Sequence, residues 1–457
     1  MAGIGFTLRR MLQTGGFSGP LRAIAYAMII SAGPWLTSSA TLALLGVFSA
    51  LPEGSSAHMV FLAIVSYCFA FSLIGVGSCQ MVASRYLADR LYQGDDTTFA
   101  PAFARVAAPL FLLQAALAGA FLAACPLTPP VKLAALLLYL AVSGTWLAMV
   151  YLSAAKDYRT IVLAFVGGFV VSVAAGLGLG RLAGLTGQLM GFTAGYVGVL
   201  GVLLWRLRRE FGLPLSEAVG LLGYFRRYWQ LVVIGLAYNT GIWIDKILFW
   251  YHPASGVQVA GPLFVAPIYD NAMFMAYLTI VPALGMFLLR VETDFYDAYR
   301  AYFAAIAAHE RLGELNRVKS EMAAALWRNL ALVLKVQSPI TIGAILFAPE
   351  IIAGLKLDWL SVFVFRFGAI GALLHVLHLM VLILLLYLDF RTDAMRLALV
   401  FLTSNLVFTL LAFGGGMPSY GAGYAFSCAV TLFYGLHLLG RAFEQLEYHI
   451  FMRQPLT

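Results

Sequence analysis

Twelve runs of apolar residues succeed one another along this 457-residue chain, at about 23–50, 58–83, 103–125, 131–154, 160–180, 183–205, 229–251, 268–289, 329–352, 360–388, 397–413 and 421–440. A helix needs about 20 apolar residues to cross a bilayer, so each run predicts a transmembrane span. The run at 397–413 is the shortest and predicts a missed end. Charge supports the same class. Only 11% of the residues are charged and 62% are apolar, with a mean hydropathy of +0.88. A soluble domain carries about 25% charged residues, and a disordered chain is more polar still. Both are excluded. The first run is too long for the apolar core of a cleaved leader, so it is expected to stay in the membrane. Cys68, Cys79, Cys125 and Cys428 form no CxxC pair and read as small core residues, with neither a disulfide framework nor a metal site.

An even number of spans puts both termini on one side. The two tails and the even-numbered connections hold 23 Lys and Arg, whereas the odd-numbered connections hold only Lys132, Arg181 and Lys356. Positive residues stay cytoplasmic, so both termini are expected in the cytoplasm. The net charge of +8 then records topology, and nucleic acid is not an expected partner. The outward connections are too short for a domain. Two inward ones are longer. Within 291–328, Phe295, Tyr299, Tyr302, Ile306, Leu315, Val318 and Met322 recur at helical spacing opposite Asp297, Arg300, Glu310, Arg311, Glu314, Arg317 and Glu321. That pattern predicts one amphipathic helix on the inner membrane face, resting on lipid or offering a docking surface. Ile4–Leu12 is a second candidate for the interface.

A weak repeat supports the span count. An offset of 208 places Gly33 on Gly241, Trp35 on Trp243, Gly77 on Gly285 and Asp89 on Asp297. Six spans per half return the chain to its starting side, so the halves are parallel repeats with a path expected between them. The expected fold is all-α, with two six-helix lobes. Residues 1–205 form the first lobe, 206–228 a cytoplasmic linker, 229–440 the second lobe and 441–457 a cytoplasmic tail.

No Gly-Lys dipeptide, HExxH, GxSxG or DxD occurs, so neither an ATPase nor another enzyme is expected, and no cofactor. Gly187, Gly191 and Gly195 form a GxxxGxxxG run that lets a neighbouring helix approach. The remaining signal is polar residues inside spans, since an ionisable group in hydrocarbon is unfavourable unless it faces water or a partner. Asn239, Trp243 and Lys246 share one face of the seventh span, beside Asp245. Arg366 lies on the tenth, and Asp270 and Glu350 near outer ends. Asp245, Lys246 and Arg366 are expected to border a hydrated cavity between the halves, the alternative being a local salt bridge. Trp35, Tyr238 and Trp243 are candidate sugar-stacking platforms, the alternative being ordinary packing aromatics. His375 and His378 lie three apart with no third ligand nearby in sequence, so they read as polar lining rather than a metal site.

The opening Met1-Ala-Gly-Ile-Gly-Phe6-Thr-Leu-Arg9-Arg10-Met-Leu, then Leu21-Arg22-Ala-Ile-Ala-Tyr26, then Ser31-Ala-Gly33-Pro34-Trp35 resembles the PelG family of exopolysaccharide transporters. So does the Asn239-Thr-Gly-Ile-Trp243-Ile-Asp245-Lys246 stretch. The resemblance implies a member of the multidrug/oligosaccharidyl-lipid/polysaccharide (MOP) superfamily in the bacterial inner membrane. Its two lobes would form a V, with spans 1, 2, 7 and 8 lining the cleft. It implies export of a cationic, N-acetylhexosamine-rich, partly deacetylated polymer that supports a biofilm matrix. The implied partners are a cytosolic UDP-sugar-dependent glycosyltransferase (PelF-like) and two membrane proteins, PelE-like and PelD-like, the latter a cyclic di-GMP sensor. Two other readings stay open. One is flipping of a lipid-linked oligosaccharide, with Lys246 and Arg366 on a pyrophosphate. The other is cation-coupled drug antiport, with the ion at Asp245.

Overall fold

The computed structural model describes residues 18–49, 51, 54–95, 97–212 and 220–452. The opening residues 1–17, which include the Ile4–Leu12 stretch expected at the interface, residues 213–219 of the linker and the end of the tail lie outside them. The first helices are α1 (Ser18–Phe48), α2 (Ser56–Tyr92), α3 (Phe99–Ala124), α4 (Pro129–Ala154) and α5 (Tyr158–Phe211). At 1.5 Å per residue, the 54 residues of α5 would reach about 80 Å if straight, far beyond a bilayer core of about 30 Å. The helix in fact folds back at Ala183 and Gly184, whose φ of +56° suits glycine. Its two arms pack antiparallel. A Cβ on Gly187 would meet the Leu179 carbonyl, one on Gly191 would meet Gly176 and Ala175, and one on Gly195 would meet Ser172 and Gly168. The partner that the GxxxGxxxG run admits is therefore the span immediately before it. Ser172 adds a hydrogen bond to the Phe192 carbonyl.

After α6 (Leu221–Arg227) comes α7 (Trp229–Tyr251), then a hairpin of β1 (Val257–Ala260) and β2 (Leu263–Val265). This hairpin sits in the connection between the seventh and eighth spans. The Tyr67 hydroxyl from α2 ties it down by accepting from the Phe264 N–H and reaching Tyr251. The eighth span is broken into α8 (Pro267–Leu278) and α9 (Val281–Arg290). Pro282 cannot donate to the turn before it, and the half-buried Thr279 carbonyl at the break accepts from the buried Gln337 amide at 2.8 Å.

The expected single amphipathic helix over 291–328 is corrected to a helical hairpin. A π-turn (Val291–Phe295) carries α9 into α10 (Tyr296–Ala307), the chain reverses where His309 takes a φ of +53°, and α11 (Leu312–Leu346) runs back. The expected apolar stripe is real. Phe295, Tyr302, Ile306, Leu315, Val318 and Met322 are buried, while Asp297, Arg300, Glu310 and Arg317 are exposed. Its cover is protein rather than lipid. The two helices pack on each other, and Phe295 and Tyr299 meet the ring of Tyr387. The remaining helices are α12 (Ala348–Gly354), α13 (Ser361–Tyr387), α14 (Arg391–Phe413), α15 (Ala422–Glu444) and α16 (Leu446–Phe451). The short run at 397–413 had lost its first turns to charge: Arg391 pairs with Asp389, and Arg396 with Asp393. Eleven helices among the described residues are long and apolar enough to cross a membrane. With α5 folded in two, that is consistent with twelve crossings.

The chain forms two compact units, residues 33–267 and residues 1–32 with 268–457. These do not coincide with lobes divided at 205 and 229. The first unit holds α7, the helix expected to open the second lobe, and the second unit holds the start of α1. Glycine contacts show why. In the first unit Gly235 of α7 lies against Gly77 of α2, so a Cβ on Gly235 would stand 1.9 Å from the Gly77 carbonyl oxygen. In the second unit Gly285 of α9 lies against Met28 of α1, whose backbone nitrogen would stand 3.0 Å from an added Cβ. Gly77 and Gly285 are the pair related by the 208-residue offset. Each unit therefore repeats the same contact, in which the second helix of one repeat packs on the first helix of the other.

Candidate functional site

The first unit assembles the seventh-span candidates on the face of α7 that meets α2. The close approach at Gly77 and Gly235 lets Asn239 reach across and donate to the Leu73 carbonyl at 3.2 Å. One turn on, Trp243 is half-buried and Lys246 is almost wholly buried. Trp243 and Lys246 share a face of the helix, the Lys246 ammonium standing 5.8 Å from the Trp243 ring centre. The Trp243 indole Nε1 is buried without a hydrogen-bond acceptor. Asp245 has no exposed surface. Lys246 donates to its two oxygens at 3.1 and 3.2 Å and to the Ile242 carbonyl at 3.0 Å. The pair matters because a lone charge here would have no water to solvate it. Trp35, on α1, is half-buried, and Tyr238 is buried.

The other candidates fall in the second unit. Arg366 on α13 is half-buried and donates through Nε to the Ile345 carbonyl at 3.1 Å. Asp270 is half-buried in the first turn of α8, and Glu350 is exposed in the first turn of α12. His375 and His378 are buried on α13 with ring centres 4.6 Å apart, among Phe401, Tyr424 and Tyr277.

Two features carried no strong sequence signal. One is the break between α8 and α9, which lies midway along its span. Discontinuous helices at such depth expose backbone polar groups where transporters bind their cargo, and Pro282 was the available hint. The other is a cavity of about 530 Å³ within the first unit, lined by Tyr67, Phe71, Gln114, Phe121, Tyr139 and Leu236 among others. None of the candidate residues named above lines it. The Gln114 amide is buried there with neither its oxygen nor its nitrogen hydrogen-bonded. A single glutamine within an apolar run was the only trace of it.

Apolar helical arms carrying a few buried polar groups define a multi-pass membrane protein, and the comparisons with known proteins place its fold and family. A multidrug resistance MATE family transporter of the MOP superfamily, solved in an outward-facing conformation, superposes with a TM-score of 0.64. It covers 92% of this chain and 96% of its own at 13% identity. A MATE structure in a bent conformation gives 0.61 over 97% of this chain and 99% of that one, at 14% identity. A MOP superfamily transporter from Pyrococcus furiosus gives 0.59 over 92% and 96%, at 13% identity. At such identity these show the fold alone. No curated protein matches. The sequence matches the PelG family, exopolysaccharide exporter (EPS-E), over residues 1–451. The chain belongs to the PelG family, and family and fold are those of transporters rather than enzymes.

Proposed function

We propose that this protein exports the cationic Pel exopolysaccharide, an N-acetylhexosamine-rich and partly deacetylated polymer, from the cytoplasm to the periplasm. A cytosolic UDP-sugar-dependent glycosyltransferase feeds the growing chain to it, and PelD-like and PelE-like proteins accompany it in the bacterial inner membrane. Both termini lie in the cytoplasm. The observation that carries this reading is the match to the exporter family across nearly the whole chain.

The α7 face supplies fitting chemistry. A half-buried indole with an unaccepted N–H offers a flat surface to a pyranose ring and a donor to its hydroxyls. Beside it, Asp245 holds an ammonium group. A deacetylated hexosamine also carries an ammonium group, so it can take the same carboxylate in place of Lys246 as the polymer moves. Arg366, Asp270 and Glu350 are further candidates for the path.

The test uses cells that make the polymer. Deletion of this protein should stop secretion and leave the glycosyltransferase in the cytosol, and the two should co-purify when both are present. Secretion that persists without the glycosyltransferase, or that needs a lipid-linked precursor, would refute this reading and favour the flippase.

A further inference from the structure

The second unit brings together three metal-ligating side chains that the export reading does not use. His375 and His378 stand one turn apart on α13, and Cys428 approaches from α15. One ligand atom from each lies within 4.8 Å of the other two. All three residues are buried, with 6%, 1% and 0% of their surface exposed. They form the one such three-residue group among the described residues.

Packing sets this meeting. Gly371 lets α15 close on α13, where an added Cβ would meet the Tyr424 ring at 2.5 Å and the Ala425 Cα at 3.2 Å. Further along, Gly435 faces Val381. Pairing 371 with 425 and 381 with 435 defines parallel helices in constant register. That register sets Cys428 level with residue 374, against the histidine face.

We infer that His375, His378 and Cys428 form a binding site for a monovalent copper ion. The argument rests on donor type, number and charge. A metal held at about 2.0–2.3 Å by nitrogen and sulfur needs donors roughly 3.5–4 Å apart. The present spacing of up to 4.8 Å is wider, so binding requires the side chains to rotate toward one another. A thiolate with two imidazoles is a soft set suited to Cu(I), whereas structural zinc takes four ligands.

Charge decides further. When Cu(I) binds, the Cys428 S–H bond breaks, a sulfur–copper bond forms and one proton leaves for solvent. One unit of positive charge replaces another, and the buried site stays neutral. Zinc would leave a net positive charge among apolar side chains, which is strongly unfavourable. The filled site would clasp the tenth and twelfth spans, α13 and α15, together.

The test uses the full-length protein purified in detergent, under anaerobic reducing conditions. Cu(I) is supplied in competition with bathocuproine disulfonate. One tightly held equivalent per chain is expected, and X-ray absorption should show a shell of one sulfur and two imidazole nitrogens. Cys428→Ser and His378→Ala should each lose that equivalent. The triple variant Cys68→Ala, Cys79→Ala, Cys125→Ala should keep it. Copper should raise the Tm of the wild type and leave that of Cys428→Ser unmoved. The inference is overturned by the absence of a stoichiometric step, or by its retention in Cys428→Ser. Zinc that copper does not displace would also overturn it. If a variant does not fold, the wild-type shell decides alone, and a sulfur-free or two-sulfur shell refutes the site.

Discussion

Replacing Lys246 by methionine tests the buried charge on α7. Methionine keeps an unbranched apolar stem but removes the ammonium, which donates to both Asp245 oxygens and to the Ile242 carbonyl. Asp245 has no exposed surface, so its carboxylate loses that partner where water cannot substitute. Breaking a buried pair from one side destabilises by about 3–5 kcal/mol. The lower figure already shifts the folded-to-unfolded ratio by roughly two orders of magnitude. Asp245→Asn should destabilise from the other side. The double replacement Asp245→Leu with Lys246→Met removes both charges together, and such swaps are often neutral or stabilising. The assay pairs unfolding in detergent, followed by heating or SDS titration, with secreted polymer measured in cells. Both single variants should unfold early, and the double variant should recover stability while secretion stays lost. A double variant that recovers both would reduce the pair to a helix staple. Single variants that unfold like the wild type would refute the electrostatic argument.

Other expectations follow from the packing, the break and the loops. Gly191→Ala would place its Cβ 2.3 Å from the Gly176 nitrogen. That overpacking should destabilise by about 1–3 kcal/mol, whereas Gly198→Ala, with nothing within 4 Å, should leave thermal unfolding unchanged. Gln337→Leu removes the donor to the Thr279 carbonyl at the broken eighth span and should lower detergent unfolding stability by about 1–3 kcal/mol. Asp157, in the turn before α5, carries a pH dependence. Burial raises its pKa, but bonds from Arg206 and Thr160 outweigh this and hold the carboxyl below its ordinary value. A depressed folded pKa contributes stability that is complete above the unfolded value and lost as pH falls through the folded one. Tm against pH should therefore drop more steeply on the acid side in the wild type than in Asp157→Asn, below about pH 4.

The twelve apolar runs, their charge bias and the stripe over 295–322 were legible because each is written in neighbouring residues. Hydropathy decides that a segment must leave water, and periodicity decides which face of it does. The shared face of Asn239, Trp243 and Lys246 was legible for the same reason, and the ion pair joins consecutive residues. Neither signal names the partner. That 291–328 folds as a hairpin covered by Tyr387, rather than as one helix on lipid, depends on the reversal at His309 and on residues distant in sequence. The Gln337 amide reaches a carbonyl 58 residues away. Cys428 joins two histidines from another helix because glycines set the register between α13 and α15. The repeat was visible as four matched positions, yet its consequence, one unit taking in the whole and the other the start of the opposite repeat's first helix, appears only where Gly77 meets Gly235 and Gly285 meets Met28. Local sequence determines that a helix forms and what it must bury. Which helix buries it is decided by close packing between surfaces that one-dimensional spacing does not encode.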